Sequence, residues 1–257
     1  MRTAHLRRLL LLVGSLTGLC VLAQARVAGQ EPVLPAAQDI IARHVAAVGG
    51  AEAHKAISSM HATGTCEIPA QGLSGTIDLY QARPAKALLR VDVPGVGKIE
   101  QGYDGKVAWE ISPMGGPSLI TGRRLTEVAD DAWFDSFLHA PEHVKSMTTV
   151  AKSTFDQHPA WEVKVVSATG TESVEYYDVD SGLLIGSEAT RETQMGVLPM
   201  VTVLRDYKKF GTMLEATTMS QRTMGIEQVV HLNTFEYDKV PASTFDLPPQ
   251  IKALIGK

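Results

Sequence analysis

Cysteine is nearly absent from this chain, and the little there is cannot staple it. Cys20 falls in a leader-like N-terminus, which leaves Cys66 as a single thiol without an internal partner. A disulfide framework is therefore excluded, and Cys66 suits a small buried apolar filler better than a reactive thiol, because no basic neighbourhood surrounds it. Charge of one sign is not in excess: 24 basic against 28 acidic residues leave a net charge of −4, no electrostatic footprint for nucleic acid. Aromatic residues make up only 6% of the chain, so each can be placed individually. Catalytic and cofactor motifs are missing as well. There is no Gly-x-Ser-x-Gly elbow, and Gly95 and Gly97 open no helix that could cradle a phosphate. His139 and His143 stand four apart, but Pro141 separates them and no third metal ligand is near. Asp178-Val-Asp-Ser-Gly182 resembles a calcium loop, yet its glycine comes one position early and no glutamate follows. It is a hairpin turn. Asp130, Asp131 and Asp135 fit the wet face of a helix.

Long apolar runs are also lacking, except at the start. Arg2, Arg7 and Arg8 precede the run from Leu9 to Leu22, and Ala23-Gln-Ala25 offers a small-x-small cleavage site. Residues 1–25 thus read as a signal peptide, too short in their apolar run to span a bilayer comfortably. An uncleaved anchor is the alternative, weakened by Gly14, Ser15, Thr17 and Gly18. A lipidated Cys20 is weakened by Leu19, where a small residue is needed. Residues 26–35, with Gly29, Pro32 and Pro35, form a flexible tether, and 36–257 form a single domain.

What remains is mostly strand. From Trp161 to Glu236 apolar and polar residues alternate, the period-2 mark of strands with one dry face. Short turns at Ala168–Thr171, Asp178–Gly182, Tyr207–Gly211 and Met224-Gly225 separate these strands, connections that suit antiparallel neighbours. Earlier strands run from about Met60 to Ile111, with a hairpin signal at Asp104-Gly105. Two helical patterns interrupt them. Ala37, Ile40, Ile41, Val45 and Val48 define an amphipathic helix stopped by Gly49-Gly50, with a shorter helical piece over Ala51–Ile57. Leu125, Val128, Ala129, Ala132, Trp133 and Phe137 predict a second long helix over about 125–140, closed by Pro141.

Two successions carry a family resemblance. In the first, a strand ends in Arg83-Pro84, a further strand reaches Pro94, and Asp104-Gly-Lys-Val-Ala-Trp109 leads to Pro113. In the second come the helical segment with Trp133 and Phe137, His158-Pro-Ala-Trp161, the turn 178–182 and Phe245-Asp-Leu-Pro248. Their order and spacing resemble the periplasmic lipoprotein carrier LolA and the outer-membrane lipoprotein-sorting superfamily. The resemblance implies a mainly β (α+β) fold, a half-open antiparallel β-barrel of about eleven strands covered by lid helices. It implies a periplasmic, monomeric, non-enzymatic binder of lipid or lipoprotein acyl chains that needs no cofactor. Its partners at the membranes would be an inner-membrane releasing complex or an outer-membrane acceptor. The residue matching the family's lid-latching arginine is Arg83; a solvated strand-end arginine is the alternative.

The residues expected to line an apolar cavity are Trp109, Trp133, Phe134, Phe137, Trp161, Met200 and Met219. Five of the 9 methionines lie between Met195 and Met224, and methionine serves both adaptable binding walls and ordinary core filling. Strand parity places Trp109 with Val107 and Ile111, expected to face the lid aromatics. A cofactor-free enzyme and a lipoprotein-sensing regulatory domain are the competing functions on such a fold. An enzyme would show polar groups converging inside the barrel; a carrier, an almost wholly apolar wall.

Overall fold

Alternating strands joined by short turns can bury their dry faces only by staying in one sheet and curling over other elements, and this chain does so. The computed structural model describes residues 33–193 and 195–256. The expected leader and most of the tether lie outside these residues. Thirteen strands form one antiparallel sheet: β1 (Ser59–Ile68), β2 (Leu73–Ala82), β3 (Lys86–Val93), β4 (Gly97–Tyr103), β5 (Ala108–Ser112), β6 (Gly116–Ile120), β7 (Val144–Phe155), β8 (His158–Ser167), β9 (Glu172–Asp178), β10 (Leu184–Thr193), β11 (Gly196–Phe210), β12 (Met213–Thr223) and β13 (Ile226–Tyr237). The order β6-β5-β4-β3-β2-β1-β13-β12-β11-β10-β9-β8-β7 leaves β6 and β7 at opposite edges, so the sheet is unclosed. Thirteen strands replace the roughly eleven expected. Every neighbouring pair except β1–β13 is joined in sequence, as short turns require.

The helices are α1 (Ala37–Ala47), α2 (Ala51–Lys55), α3 (Gly122–Asp131) and α4 (Pro249–Ile255). The apolar stripe of α1 packs Ala37, Ile40 and Ile41 on Val163, Val165 and Tyr177 of β8 and β9. Arg43 clamps the other side of α1 to the β9–β10 turn, donating to the carbonyls of Val179 (2.7 Å) and Asp180 (2.5 Å). Gly49, at φ +126°, lies so close to the β11–β12 turn that a Cβ there would sit 2.7 Å from the Thr212 carbonyl oxygen. Only glycine tolerates both the backbone angle and the approach, which seats α1 and α2 over the inner face.

α3 is a strap across that face. Arg124 reaches Glu110 of β5 at 2.8 Å, while Glu127 accepts the Glu192 backbone N–H of β10 at 2.9 Å. Asp131 pairs with Arg191 of β10 at 3.0 Å. The hydroxyls of Ser167, Thr169 and Thr171 in and around the β8–β9 turn all donate to Asp130 Oδ2. Of the aspartates expected on a wet helical face, Asp130 thus fastens the strap to the β8–β9 turn, and Asp131 fastens it to β10 while remaining exposed.

The predicted helix over 125–140 is corrected by the structure. α3 ends at Asp131, Trp133 makes a β-bridge with Ala85, and only the short 3-10 turn Ser136–Leu138 follows. The Phe134 N–H donates to the Pro84 carbonyl at 3.0 Å. A continued helix would need that N–H for its own ladder, and the sheet edge supplies the acceptor instead.

The outer face has a cover that the sequence analysis lacks. Leu88 pairs with Gly102, and Gly102 with Trp109, on the face opposite Leu89. There α4 and the preceding turn bury Phe245 and Ile251 against Leu88 and Trp109. Trp109 therefore does not face the lid. Its grouping with Ile111 holds, but the parity of one strand says nothing about which face a helix will cover.

Candidate ligand-binding site

The lid is the segment from α3 to His139, and Arg83 is where its middle meets α2 and the α2–β1 connection. Arg83 follows β2, and its own N–H bonds the Ser58 carbonyl at 3.0 Å, which aims the side chain at the α2–β1 connection. Nε donates to the Ile57 carbonyl (2.6 Å) and Nη2 to the His54 carbonyl (2.9 Å). Nη1 pairs with the Asp135 carboxylate of the lid. The guanidinium lies 4.9 Å from the centre of the Phe134 ring. His54 joins the cluster from α2: its Nε2 is 3.1 Å from the Phe134 carbonyl and 3.2 Å from Asp135 Oδ1. Burial holds the His54 pKa below its usual value against the pull of Phe134 and Asp135.

Beneath the lid lie two adjoining chambers. The first, about 320 Å³, is largely apolar and is walled by Met60, Leu79, Leu204, Met213, Met219, Leu232 and Phe235, with Phe134 and Phe137 above. Its polar margin is Tyr237, whose hydroxyl donates to Glu215 at 2.7 Å; burial pushes the Glu215 carboxyl up.

The second chamber, about 500 Å³, shares His44, Ser136 and Phe137 with the first but carries more polar groups. Its centre is Glu175 of β9. His139 Nε2 lies 2.9 Å from Glu175 Oε2, and the Tyr177 hydroxyl donates to the same oxygen at 2.6 Å. Burial alone would raise the Glu175 carboxyl, yet the bonds and charge of His139 with the Tyr177 hydroxyl bring it below its usual value. Burial would likewise lower His139, but Glu175 outweighs it and the imidazole is raised. The pair fastens the lid's C-terminal end to the sheet wall. His44 behaves oppositely. Its Nδ1 accepts the Leu184 N–H at 3.2 Å, and burial lowers its pKa to about 4.

A pH dependence follows from His44. A histidine held neutral in the fold and free to protonate when unfolded contributes stability above pH 6.5 that is lost as pH falls from 6.5 towards about 4. That span corresponds to about 3 kcal/mol. The raised His139 acts in the reverse sense, adding stability below about pH 6.5 that is lost as pH rises through its elevated value. Denaturant unfolding measured from pH 7.5 to 4 is expected to show a smaller acid loss in His44→Gln than in the wild type. An unchanged acid limb would remove His44 from the account.

Of the residues expected to form a cavity wall, Phe134, Phe137 and Met219 meet at the apolar chamber, and Trp133 borders the polar one. Trp133 packs at a tilt on His143, ring centres 3.8 Å apart, and Phe137 meets His54 edge-on at 4.3 Å. Three residues are not brought in. Trp109 is on the outer face, Trp161 packs beside α1 under Lys152, and Met200 pairs with Ala189 on β11 without reaching either chamber. Sequence reasoning missed Met213, His44, His54, Asp135, Glu175 and Tyr177 as site residues. Only the inward parity of Glu175 and Tyr177 on a β-strand was a usable signal; the partners come from distant segments. The almost wholly apolar wall expected of a carrier describes only half of the space. Among the described residues, no group of three or more potential metal ligands converges, and no helix is long and apolar enough to cross a membrane.

An unclosed antiparallel sheet with helices and a strap on its inner face is a LolA-like half-barrel. Solved structures share this fold. A LolA superfamily protein from Nitrosomonas europaea superposes with a TM-score of 0.55 at 9% identity, covering 83% of this chain and 99% of that one. A DUF1329 family protein from Desulfovibrio piger gives 0.55 at 12% identity, over 83% and 98%. An outer membrane lipoprotein-sorting protein domain from Vibrio parahaemolyticus gives 0.53 at 12% identity, over 86% and 98%. No family model matches the chain, and no curated protein matches it significantly.

Proposed function

We propose that this chain is an exported, monomeric carrier of lipid or lipoprotein acyl chains in the cell envelope, working in the periplasm without a cofactor. The observation that carries the proposal is the apolar chamber of about 320 Å³ roofed by Phe134 and Phe137. Burying an acyl chain there is favourable by about 25 cal/mol per Å² of apolar surface, and three methionines give the wall the adaptability that varied chains need. Arg83 acts as the lid latch, because polar bonds between lid and α2 can open without disrupting the sheet. Its cargo would be received from or delivered to membrane partners, an inner-membrane releasing complex or an outer-membrane acceptor. The superposition with a lipoprotein-sorting domain supports this reading. Polar groups do converge in the second chamber, the feature expected of an enzyme, but Glu175 already holds His139 and Tyr177, which leaves it engaged rather than free as a base.

The test is native mass spectrometry and lipid extraction of protein purified from its own envelope, followed by titration with a fluorescent acyl probe. Acyl-bearing mass is expected on the wild type, and Met219→Trp, which fills the chamber, is expected to weaken the probe about tenfold. A flat titration of well-folded wild type, with no co-purified lipid, would sink the proposal.

A further inference from the structure

The two ends of the sheet differ in chemistry. Antiparallel pairing sends alternate turns to opposite ends, and one end holds the connections 69–72, 94–96, 113–115, 168–171, 194–195 and 224–225. None of these carries a charged residue. At the other end four of the five connections do, through Arg83, Asp104, Lys106, Asp156 and Asp180. Among the described residues, six of the ten large apolar side chains left exposed stand at the uncharged end: Val96, Met114, Met195, Val197, Met224 and Ile226. Three of the turns there adjoin. The Thr223 hydroxyl donates to the Pro199 carbonyl at 2.9 Å, and the 3-10 turn Pro69–Gln71 packs beside β13.

The β12–β13 turn is the clearest case. Met224 and Gly225 both hold left-handed backbone angles, φ +50° and +77°, the geometry that asparagine or aspartate before glycine adopts most readily. The β7–β8 turn at the opposite end meets it with Asp156-Gln157, at φ +46° and +69°. A methionine there strains the backbone and leaves an apolar side chain in water, for Met224 is 65% exposed. The β10–β11 turn reaches further out. Thr190–Thr193 and Gly196–Pro199 pair only with each other, because β9 follows β10 no farther than Ala189 and β12 follows β11 no farther than Val201. This finger ends in Met195, 74% exposed, and is fastened to the strap through Arg191 and the Glu192 N–H.

Charge and shape decide what such an end can meet. Ions behind the tips answer one another: Arg222 pairs with Glu227 at 3.0 Å, Arg191 with Asp131 at 3.0 Å and Lys98 with Asp92 at 3.6 Å. With a net charge of −4, the chain is not drawn to an anionic surface. Each of the six apolar side chains stands next to a glycine on a convex turn, without the groove or central aromatic anchor that a protein partner uses. Two copies of a convex end would bury little of each other. A fluid bilayer interface accepts each side chain separately.

We infer that this end of the sheet docks on a zwitterionic phospholipid bilayer, with the tips at Met195 and Met224 entering the headgroup layer. The inference goes beyond the acyl-carrier reading and does not depend on it. Docking through the finger sets the strap of α3 beside the membrane.

The experiment is flotation of protein purified from its own envelope with vesicles of palmitoyl-oleoyl phosphatidylcholine. The wild type is expected to float. Met195→Asp combined with Met224→Asp should leave the melting temperature unchanged, since both side chains are exposed, and lower the partition coefficient about tenfold. Ile255→Asp removes an exposed apolar side chain from α4 instead and is expected to float as the wild type does. Insertion has its own readout: in Met195→Trp, a dibrominated phosphatidylcholine should quench the added emission. A wild type that stays below the vesicles, a double variant that floats equally well, or a Met195→Trp emission untouched by brominated lipid overturns the inference. Binding that needs phosphatidylglycerol or is lost at raised salt overturns it too, by making the attraction electrostatic. So does a wild-type dimer that the double variant abolishes, because a second copy would then cover the tips. Failure of the acyl probe to bind counts against the carrier reading alone, since no acyl ligand enters this test.

Discussion

Arg83→Ala is expected to lower the unfolding free energy by about 3 kcal/mol, the low end of what stranding one partner of a buried ion pair costs. The low end applies because Arg83 and Asp135 keep 26% and 19% of their side-chain exposure, so solvent screens part of the loss. Three bonds go at once, to Ile57, His54 and Asp135, and His54 Nε2 at 3.2 Å remains Asp135's one nearby partner. For a domain of this size the melting temperature should fall by roughly 6–12 °C. Asp135→Asn removes the charge but keeps a hydrogen-bonding group, so its cost should be about half or less. The two changes together should cost less than their sum, because they share one contact. Hydrogen exchange locates the effect: the Phe134 amide, bonded to the Pro84 carbonyl, should open faster in Arg83→Ala while amides of β8 and β9 follow global stability. An Arg83→Ala protein that melts within a degree or two of wild type, with lid exchange unaltered, would make Arg83 a solvated strand-end residue.

Trp109→Ala should cost about 4 kcal/mol and leave acyl binding unchanged. Trp109 is 4% exposed and packs with Leu88, Phe245 and Ile251 beneath α4, so truncation opens a large cavity that α4 cannot collapse into. Its ring also lies across Gly102, where a Cβ would come within 2.5 Å of the indole. Gly102→Ala is therefore expected to destabilise as well, by forcing the ring off its seat. Phe134→Ala makes the contrast, since it should alter acyl affinity as well as stability. Chemical denaturation and acyl-probe titration on the same variants separate the two faces. Loss of probe affinity in a folded Trp109→Ala protein would mean the outer face communicates with the chamber.

Legibility in the sequence followed the range of the interaction. Gly49-Gly50 marked the end of α1, because a helix stop is a matter of one backbone angle. The turn at 178–182 was equally readable: Asp178 Oδ1 accepts the backbone N–H groups of Asp180 and Ser181 and the Ser181 hydroxyl, all within three residues. The lid was only half readable. Val128 and Ala129 belong to a real helix, but Trp133 and Phe137 were drawn into its period, although Trp133 is bridged to Ala85 and the next N–H, of Phe134, goes to the Pro84 carbonyl. α4 went unread, although Pro248-Pro249 followed by Ile251, Leu254 and Ile255 carries a proline start and a helical apolar stripe. Its seven residues were too short for periodicity to separate from a tail.

By itself the sequence determined that the chain would be an antiparallel sheet with alternating faces, that an amphipathic helix would cover part of one face, and that Arg83 would stand at a strand end. These follow from side-chain period, turn chemistry and local backbone angles, which neighbouring residues settle among themselves. The tertiary structure alone decided which face Trp109 occupies, that Asp135 answers Arg83 across 52 positions of chain, and that His139, Glu175 and Tyr177 converge beside an apolar chamber. The period of a strand separates its two faces without naming what covers either. A carboxylate looks the same in sequence whether water or a distant guanidinium solvates it, and only the closing of the sheet over the lid brings the two together.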